Sequence, residues 1–213
     1  MEMEGDTMKK LLMVPLLICV LFTGSVINHV SAAFSDVGDK YVEAVNHLTT
    51  NNYAQGLTET KFGTGEPIKR IDAAVMVARV MGFDENGNYP DAGFTDVPLN
   101  RQWAVNALAA AKVVSGKEIG RFGSADFMTR SEMAKVIASA YGLESTGGPI
   151  LFTDVSSRFE EYVAALVENE ITFGKTATQF GATQNVTRGE FALFVLRGDM
   201  LSDNTPPEVI SVE

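Results

Sequence analysis

Three Asp–Arg pairs recur in this chain at one spacing: Asp36 with Arg70, Asp96 with Arg130, and Asp154 with Arg188, each 34 residues apart. Arginine presents five N–H donors in a planar fork that matches a carboxylate or phosphate. Each Arg stands at the opening of an apolar-periodic segment. Around two of them, Thr129-Arg130-Ser131-Glu132 and Thr187-Arg188-Gly189-Glu190, the flanking Thr and Glu form a helix capping box. Capping explains the Thr and the Glu but not the Arg, since a cation at the positive end of a helix dipole is disfavoured by roughly 0.3–1 kcal/mol. Free backbone N–H groups beside a guanidinium would make a site for an anionic group. The bland alternative is that each Arg pairs with the Asp of its own unit and locks loop to helix, and one guanidinium has donors enough for both roles.

The elements that carry these residues also repeat. Each Asp lies in a Phe-x-Asp-Val stretch beginning at Phe34, Phe94 or Phe152, with steps of 60 and 58 residues. Gly56, Gly116 and Gly174 precede their Arg by 14 residues, and Phe62-Gly63, Phe122-Gly123 and Phe180-Gly181 begin 8 before it. A period this long reads as one supersecondary unit used three times in a repeat array. Any site is therefore expected in up to three copies.

The spacing of apolar residues predicts helix, loop, helix in each unit, hence a mainly all-α class. In the second unit, Trp103, Ala107, Leu108 and Ala111 share one helical face, and Val113-Val114 with Ser115-Gly116 end that helix. Met133, Val136, Ile137 and Ala140 form the stripe of the next. Met128 with Met133, and Val186 with Phe191, stand where hydrophobic staples belong. The first unit has Lys69 and Asp72 in place of Thr and Glu, a weakened cap that costs about 1 kcal/mol.

Before the repeats, Lys9-Lys10, the apolar run Leu11 to Phe22 and the small-residue stretch Val30-Ser31-Ala32 read as a secretory signal peptide over residues 1–32. The apolar run is too short to cross a bilayer, so no membrane insertion is expected after cleavage. Cys19 is the only cysteine and lies within that segment, leaving the exported chain without disulfides or a Cys metal site. The formal charge is -10, of which residues 1–32 carry -1 (Glu2, Glu4, Asp6, Lys9, Lys10), leaving -9. So acidic a surface repels nucleic acid and anionic lipid, and any anion must be met by a few locally placed cations.

Asp84-Glu85-Asn86-Gly87-Asn88 opens like a calcium loop, but Tyr89 and Thr95 break the pattern and a linker is expected. His47 is the only histidine outside the leader and has no partners at catalytic spacing, so no catalytic residue, metal or cofactor is expected. Glu160-Glu161, Glu168 and Glu170 read as solvated-face carboxylates, with a polysaccharide-degrading enzyme kept as a lesser alternative. After Gly198, the stretch from Ser202 to Pro207 has linker composition and residues 208–213 alternate as a strand would, which predicts a linker and the entry to a missing β-domain over 201–213.

Taken together, Phe94-Thr95-Asp96-Val97, Trp103, Ser115-Gly116, Phe122-Gly123 and Met128 to Glu132, with their counterparts in the other units, resemble the S-layer homology domain, a bacterial cell-wall anchoring module. The likeness covers about residues 34–198, divided as units 33–82, 93–142 and 151–200. It implies a pseudo-threefold spindle with one helix of each unit in a central bundle. It further implies grooves that bind a secondary cell-wall polysaccharide of Gram-positive bacteria, commonly a pyruvylated one. By that resemblance Arg130, Arg188 and Arg70 are the ligand contacts, with the residues flanking Arg70 departing from the motif. Asp96, Trp103 and Gly116 are the groove residues of the second unit, with Asp36, Gly56, Asp154 and Gly174 their counterparts. Tyr41 in the first unit, and Phe159 or Tyr162 in the third, compete for the aromatic place. Neighbouring S-layer subunits are a further expected partner, and a protein-binding or lattice-forming scaffold is the runner-up reading.

Overall fold

A computed structural model describes residues 34–203. The expected signal peptide and residues 204–213 of the expected linker and strand lie outside the described residues, whereas residues 201–203, expected to open that linker, continue the last helix. Six α-helices follow in order: α1 (Asp39–Thr50), α2 (Arg70–Val80), α3 (Gln102–Ala110), α4 (Arg130–Ala140), α5 (Ser157–Glu168) and α6 (Arg188–Asp203). A 3-10 turn, Leu99–Arg101, leads into α3. No strand forms among the described residues, and the β-pairing there is confined to isolated bridges. The protein is mainly all-α, as its periodicity requires.

The array expected from the period is in fact a closed cycle. The helices pack most closely as α2 on α3, α4 on α5 and α6 on α1, so each unit's second helix is covered by the first helix of the next unit, and the third unit returns to the first. The segments before α2, α4 and α6 close the same cycle through backbone bonds. Ile68 N–H donates to Val186 O (2.9 Å), Val186 N–H to Met128 O (2.9 Å) and Met128 N–H to Ile68 O (3.0 Å). All three residues are fully buried, so these bonds are shielded from water and obligatory.

Helix α4 buries Arg130, Ser131, Met133, Ala134, Val136, Ile137 and Ala138, more than one stripe. A helix covered nearly all round belongs to the interior, which is why the Met133–Val136–Ile137 pattern understates its burial. On α3 the buried face is Ala104, Val105, Ala107 and Leu108. Ala107 and Leu108 hold the expected face, whereas Ala111 is exposed beyond the helix end and Trp103 only half-buried, with Ala104 and Val105 taking the buried places in the first turn. The capping boxes form at Thr129–Glu132 and Thr187–Glu190, while Lys69 makes no side-chain cap for α2. Met128, Met133, Val186 and Phe191 are fully buried where the staples place them.

Candidate functional site: three grooves between the units

Each Phe-x-Asp-Val aspartate anchors the Phe-Gly loop of its own unit. Asp96 accepts hydrogen bonds from the backbone N–H of Phe122 (2.7 Å), Gly123 (2.8 Å) and Ser124 (2.9 Å). Asp154 does the same for Phe180, Gly181 and Ala182 at 2.8, 2.8 and 2.9 Å, and Asp36 for Phe62, Gly63 and Thr64 at 2.8, 2.7 and 3.3 Å. Burial pushes these carboxyls upward, but the three amides outweigh it and hold each one below the usual carboxylate range. Three of the roughly four acceptor sites of each carboxylate are thereby engaged by the loop.

The Phe of the motif explains the glycines. Phe34, Phe94 and Phe152 stack against Phe62, Phe122 and Phe180 with centroids 5.7, 5.6 and 5.6 Å apart. At Gly116 an added Cβ would meet Phe94 Cε1 at 2.5 Å and the carbonyl oxygens of Arg121 and Glu118 at 2.8 and 2.9 Å. Gly56 and Gly174 are pressed by Phe34 and Phe152 in the same way, so close backbone approach requires glycine at all three.

The arginines do not pair with their own aspartates. Each crosses to the next unit around the cycle. Arg70 donates from Nε to Phe122 O (3.2 Å) and from Nη2 to Ser115 O (3.2 Å), with its guanidinium 4.8 Å from the Phe122 ring centroid. Arg130 donates from Nε to Phe180 O (2.9 Å) and from Nη2 to Thr172 Oγ1 (3.4 Å), beside the rings of Phe180 and Phe194. Arg188 closes the circle, donating to Phe62 O (3.0 Å) and Gln55 O (2.9 Å). Every Phe-Gly loop is thus clasped between its own Asp and its neighbour's Arg. Burial lowers the pKa of all three guanidinia, opposed by Glu132, Asp126 and Asp96 at Arg70, by Glu190 and Asp154 at Arg130, and by Asp72 and Asp36 at Arg188.

The helix starts are not free either, which corrects the expectation of an open amide site there. Arg70 and Ile71 donate their backbone N–H to Asp126 O (2.9 Å) and Ser124 O (3.3 Å). Arg130 and Ser131 donate to Gln184 O and Ala182 O, and Arg188 and Gly189 to Glu66 O and Thr64 O. The next unit's loop supplies the acceptors that an anion would otherwise provide.

What remains open is a groove beside each Arg, assembled from all three units. The first, about 310 Å³, joins Arg70 to the Val113–Lys117 turn, to Glu132 and Lys135 of α4, and to Arg158 and Phe159 of α5. The second, about 330 Å³, joins Arg130 to Thr172–Lys175, to Glu190 and Arg197 of α6, and to Lys40 of α1. The third, about 400 Å³, joins Arg188 to Tyr53–Leu57, to Asp72 and Arg79 of α2, and to Arg101 and Trp103 of the second unit. Trp103 therefore stands with Gly56 and Arg188, not with Asp96 and Gly116 as grouped from the sequence. Phe159 occupies the corresponding place beside Gly116, and Tyr162 lies outside that lining.

Within the grooves the arginines are only 6%, 4% and 5% exposed, so they offer an edge and a field more than an open fork. The reachable cations are residues the repeat landmarks passed over. Lys117, following the groove glycine, pairs with Asp126 (3.2 Å) and Glu132 (3.5 Å), and Lys175, likewise placed, pairs with Glu190; the second oxygens of Glu132 and Glu190 serve the helix caps. Four, four and three Lys or Arg line the grooves, 11 of the 15 that follow residue 33 in a chain of net charge -10. Such crowding of scarce cations concentrates positive charge along the three grooves.

The other candidates have local roles. Asp84 Oδ1 accepts from Asn86 and Gly87 N–H (2.8 and 3.1 Å) in a turn. Glu168 holds Ser145 and Thr146 (2.8 and 2.7 Å), and Glu160 and Glu161 are exposed on α5. His47 Nε2 lies 2.6 Å from Asp199, which also meets Tyr141 and joins α1 to α6.

The S-layer homology domain profile matches residues 33–74, 93–134 and 151–192. A "Cell surface protein" of Thermoanaerobacter kivui is 28% identical over 196 residues, 89% of this chain and 24% of that protein. An "S-layer protein" of Bacillus thuringiensis subsp. finitimus is 28% identical over 187 residues, 82% of this chain and 22% of its own length. An "Endoglucanase" of Bacillus sp. (strain KSM-635) is 26% identical over 107 residues, 49% of this chain and 11% of the enzyme. The chain spans about a quarter or less of these relatives. With three matches in register with the three clasped loops, it belongs to the S-layer homology domain family.

Proposed function

We propose that the protein is a non-enzymatic cell-surface anchor that holds an anionic secondary cell-wall polysaccharide, pyruvylated in the simplest case, in the grooves between its three units. The observation that carries this reading is the gathering of 11 of 15 cations into those grooves on an otherwise acidic chain. A pyruvate ketal is a fixed carboxylate on a sugar, and one charge-assisted hydrogen bond to it contributes about 1.5–3 kcal/mol. Single grooves then bind weakly, and engagement of several by one polymer raises retention through effective concentration. The cyclic exchange of helices and arginines supports a spindle arrangement of units 33–82, 93–142 and 151–200. The named relatives support a place at the cell surface. The likeness to an endoglucanase covers 11% of that enzyme and supports a shared module rather than hydrolysis.

The test is co-sedimentation of the whole chain with Gram-positive cell walls, before and after stripping of their secondary polysaccharide, beside the Lys117→Met/Lys175→Met double variant. Binding that disappears on stripping, and that weakens in the double variant at unchanged thermal stability, is the expected result. Undiminished binding to stripped walls would refute the polysaccharide reading.

A further inference from the structure

The three grooves differ in a way that sorts their ligands. In the Arg70 and Arg130 grooves four cations face one lining carboxylate, Glu132 or Glu190, a net of +3 each, or +2 at Arg70 when Asp126, 3.2 Å from Lys117, is counted. In the Arg188 groove three cations, Arg79, Arg101 and Arg188, face two carboxylates, Asp72 and Glu85, a net of +1. Arg101 is moreover already paired with Asp72. The lysine that follows the groove glycine, Lys117 or Lys175, is replaced here by Leu57. This groove also holds the half-buried Trp103 and the neutral polar groups of Gln55 and Asn100.

We infer that the Arg188 groove takes an uncharged sugar residue laid against Trp103, while the other two grooves take the anionic ones. A sugar without a charge offers hydroxyl donors as well as acceptors, together with an apolar ring face. Asp72, Glu85, Gln55 and Asn100 accept hydroxyl protons, the arginines donate to ring and hydroxyl oxygens, and the indole covers the C–H face. A third carboxylate brought beside Asp72 and Glu85 would meet like charge, with Arg101 already engaged by Asp72 and no lysine in the lining. Loss of one charge-assisted bond alone lowers anion affinity roughly tenfold or more. The inference rests on the proposed polysaccharide role and adds which groove takes which residue of the polymer.

Trp103 is the only tryptophan of the chain, so its emission reports this groove alone. The whole chain is titrated with a β-linked N-acetylhexosamine disaccharide, with and without a 4,6-pyruvate ketal, while fluorescence and heat are followed together. The plain disaccharide is expected to shift Trp103 emission. The ketal form is expected to release heat at a stoichiometry of two and to move the emission only at roughly tenfold higher concentration. In the Leu57→Lys/Asp72→Asn variant the ketal form should reach Trp103 at the same concentration that saturates the heat. Three equal ketal sites in the unmodified chain would overturn the inference while leaving the anchor reading intact, as would a silent Trp103 with the plain sugar. Absence of any heat with the ketal form would sink the anion reading of the other two grooves. A response of Trp103 to the plain sugar would still support this one.

Discussion

Replacing Asp96 with Asn tests whether the repeated aspartate holds its loop. The carboxylate accepts three backbone N–H groups at 2.7, 2.8 and 2.9 Å, with Phe122 on one oxygen and Gly123 and Ser124 on the other. An amide of the same shape keeps one acceptor oxygen. If that oxygen serves Gly123 and Ser124, the new NH2 confronts the Phe122 N–H, whose residue is 1% exposed. One charged bond disappears, a buried donor is left unpaired, and two bonds weaken to neutral ones. The low end of those costs applies because Asp96 itself is half-exposed, giving about 2 kcal/mol. For a chain of this size that lowers Tm by roughly 4–8 °C, measurable by calorimetry at pH 7. The pH dependence adds a sign. The folded-state pKa of Asp96 is depressed, so its contribution is fully present above the unfolded value, about 3.9, and is lost as pH falls through the folded value. The Tm gap between wild type and Asp96→Asn should therefore close below about pH 4. A variant of unchanged Tm at pH 7, or a gap as wide at pH 2.5 as at pH 7, would refute the loop-anchor argument. Lost wall binding at unchanged Tm would return Asp96 to the ligand contacts.

Arg130→Lys keeps the charge but loses the Nε–H bond to Phe180 O and the planar stacking beside Phe180 and Phe194. It should cost about 1.5–3 kcal/mol, read as a lower urea midpoint at constant slope. Lys69→Thr should restore the missing cap of α2 and raise stability by about 0.5–1 kcal/mol in the same assay. Ser124 Oγ is buried without a hydrogen-bond partner, whereas the equivalent Thr64 donates to Asp36 O at 2.6 Å. Ser124→Thr is accordingly expected to gain about 1 kcal/mol, and a loss would mean that the second unit has no room for the methyl.

Local signals in the sequence placed what local physics controls. The 3.6-residue spacing located the helices, Thr129 and Glu132 marked one helix start, and Lys69 marked the imperfect one. The partner of each Arg was not legible, because the Asp–Arg spacing invites pairing inside a unit while the real contacts run 52, 50 and 126 residues along the chain. A handover to the next unit leaves no mark on periodicity. Groove membership was half legible. The basic residues near the first-helix starts, Lys40, Arg101 and Arg158, recur, and so does the lysine after Gly116 and Gly174. Neither set is complete at one offset: Arg101 follows its Asp by 5 residues where Lys40 and Arg158 follow theirs by 4, the 3-10 turn before α3 lying in that stretch, and the first unit carries Leu57 in place of the lysine.

Because α6 returns to α1 and Arg188 returns to Phe62, the copy number of this architecture is arithmetic rather than open-ended. An open solenoid can gain or shed a repeat at its end and lose only one interface. Here a fourth unit would have no vacant neighbour, and removal of one would strip an Arg clasp and a helix pairing from both survivors. Gene duplication, the usual route by which repeat proteins diversify, is therefore closed to the ring as built. Change is left to proceed one side chain at a time inside the grooves, and Leu57, where the other two units carry lysine, is the kind of step that remains available.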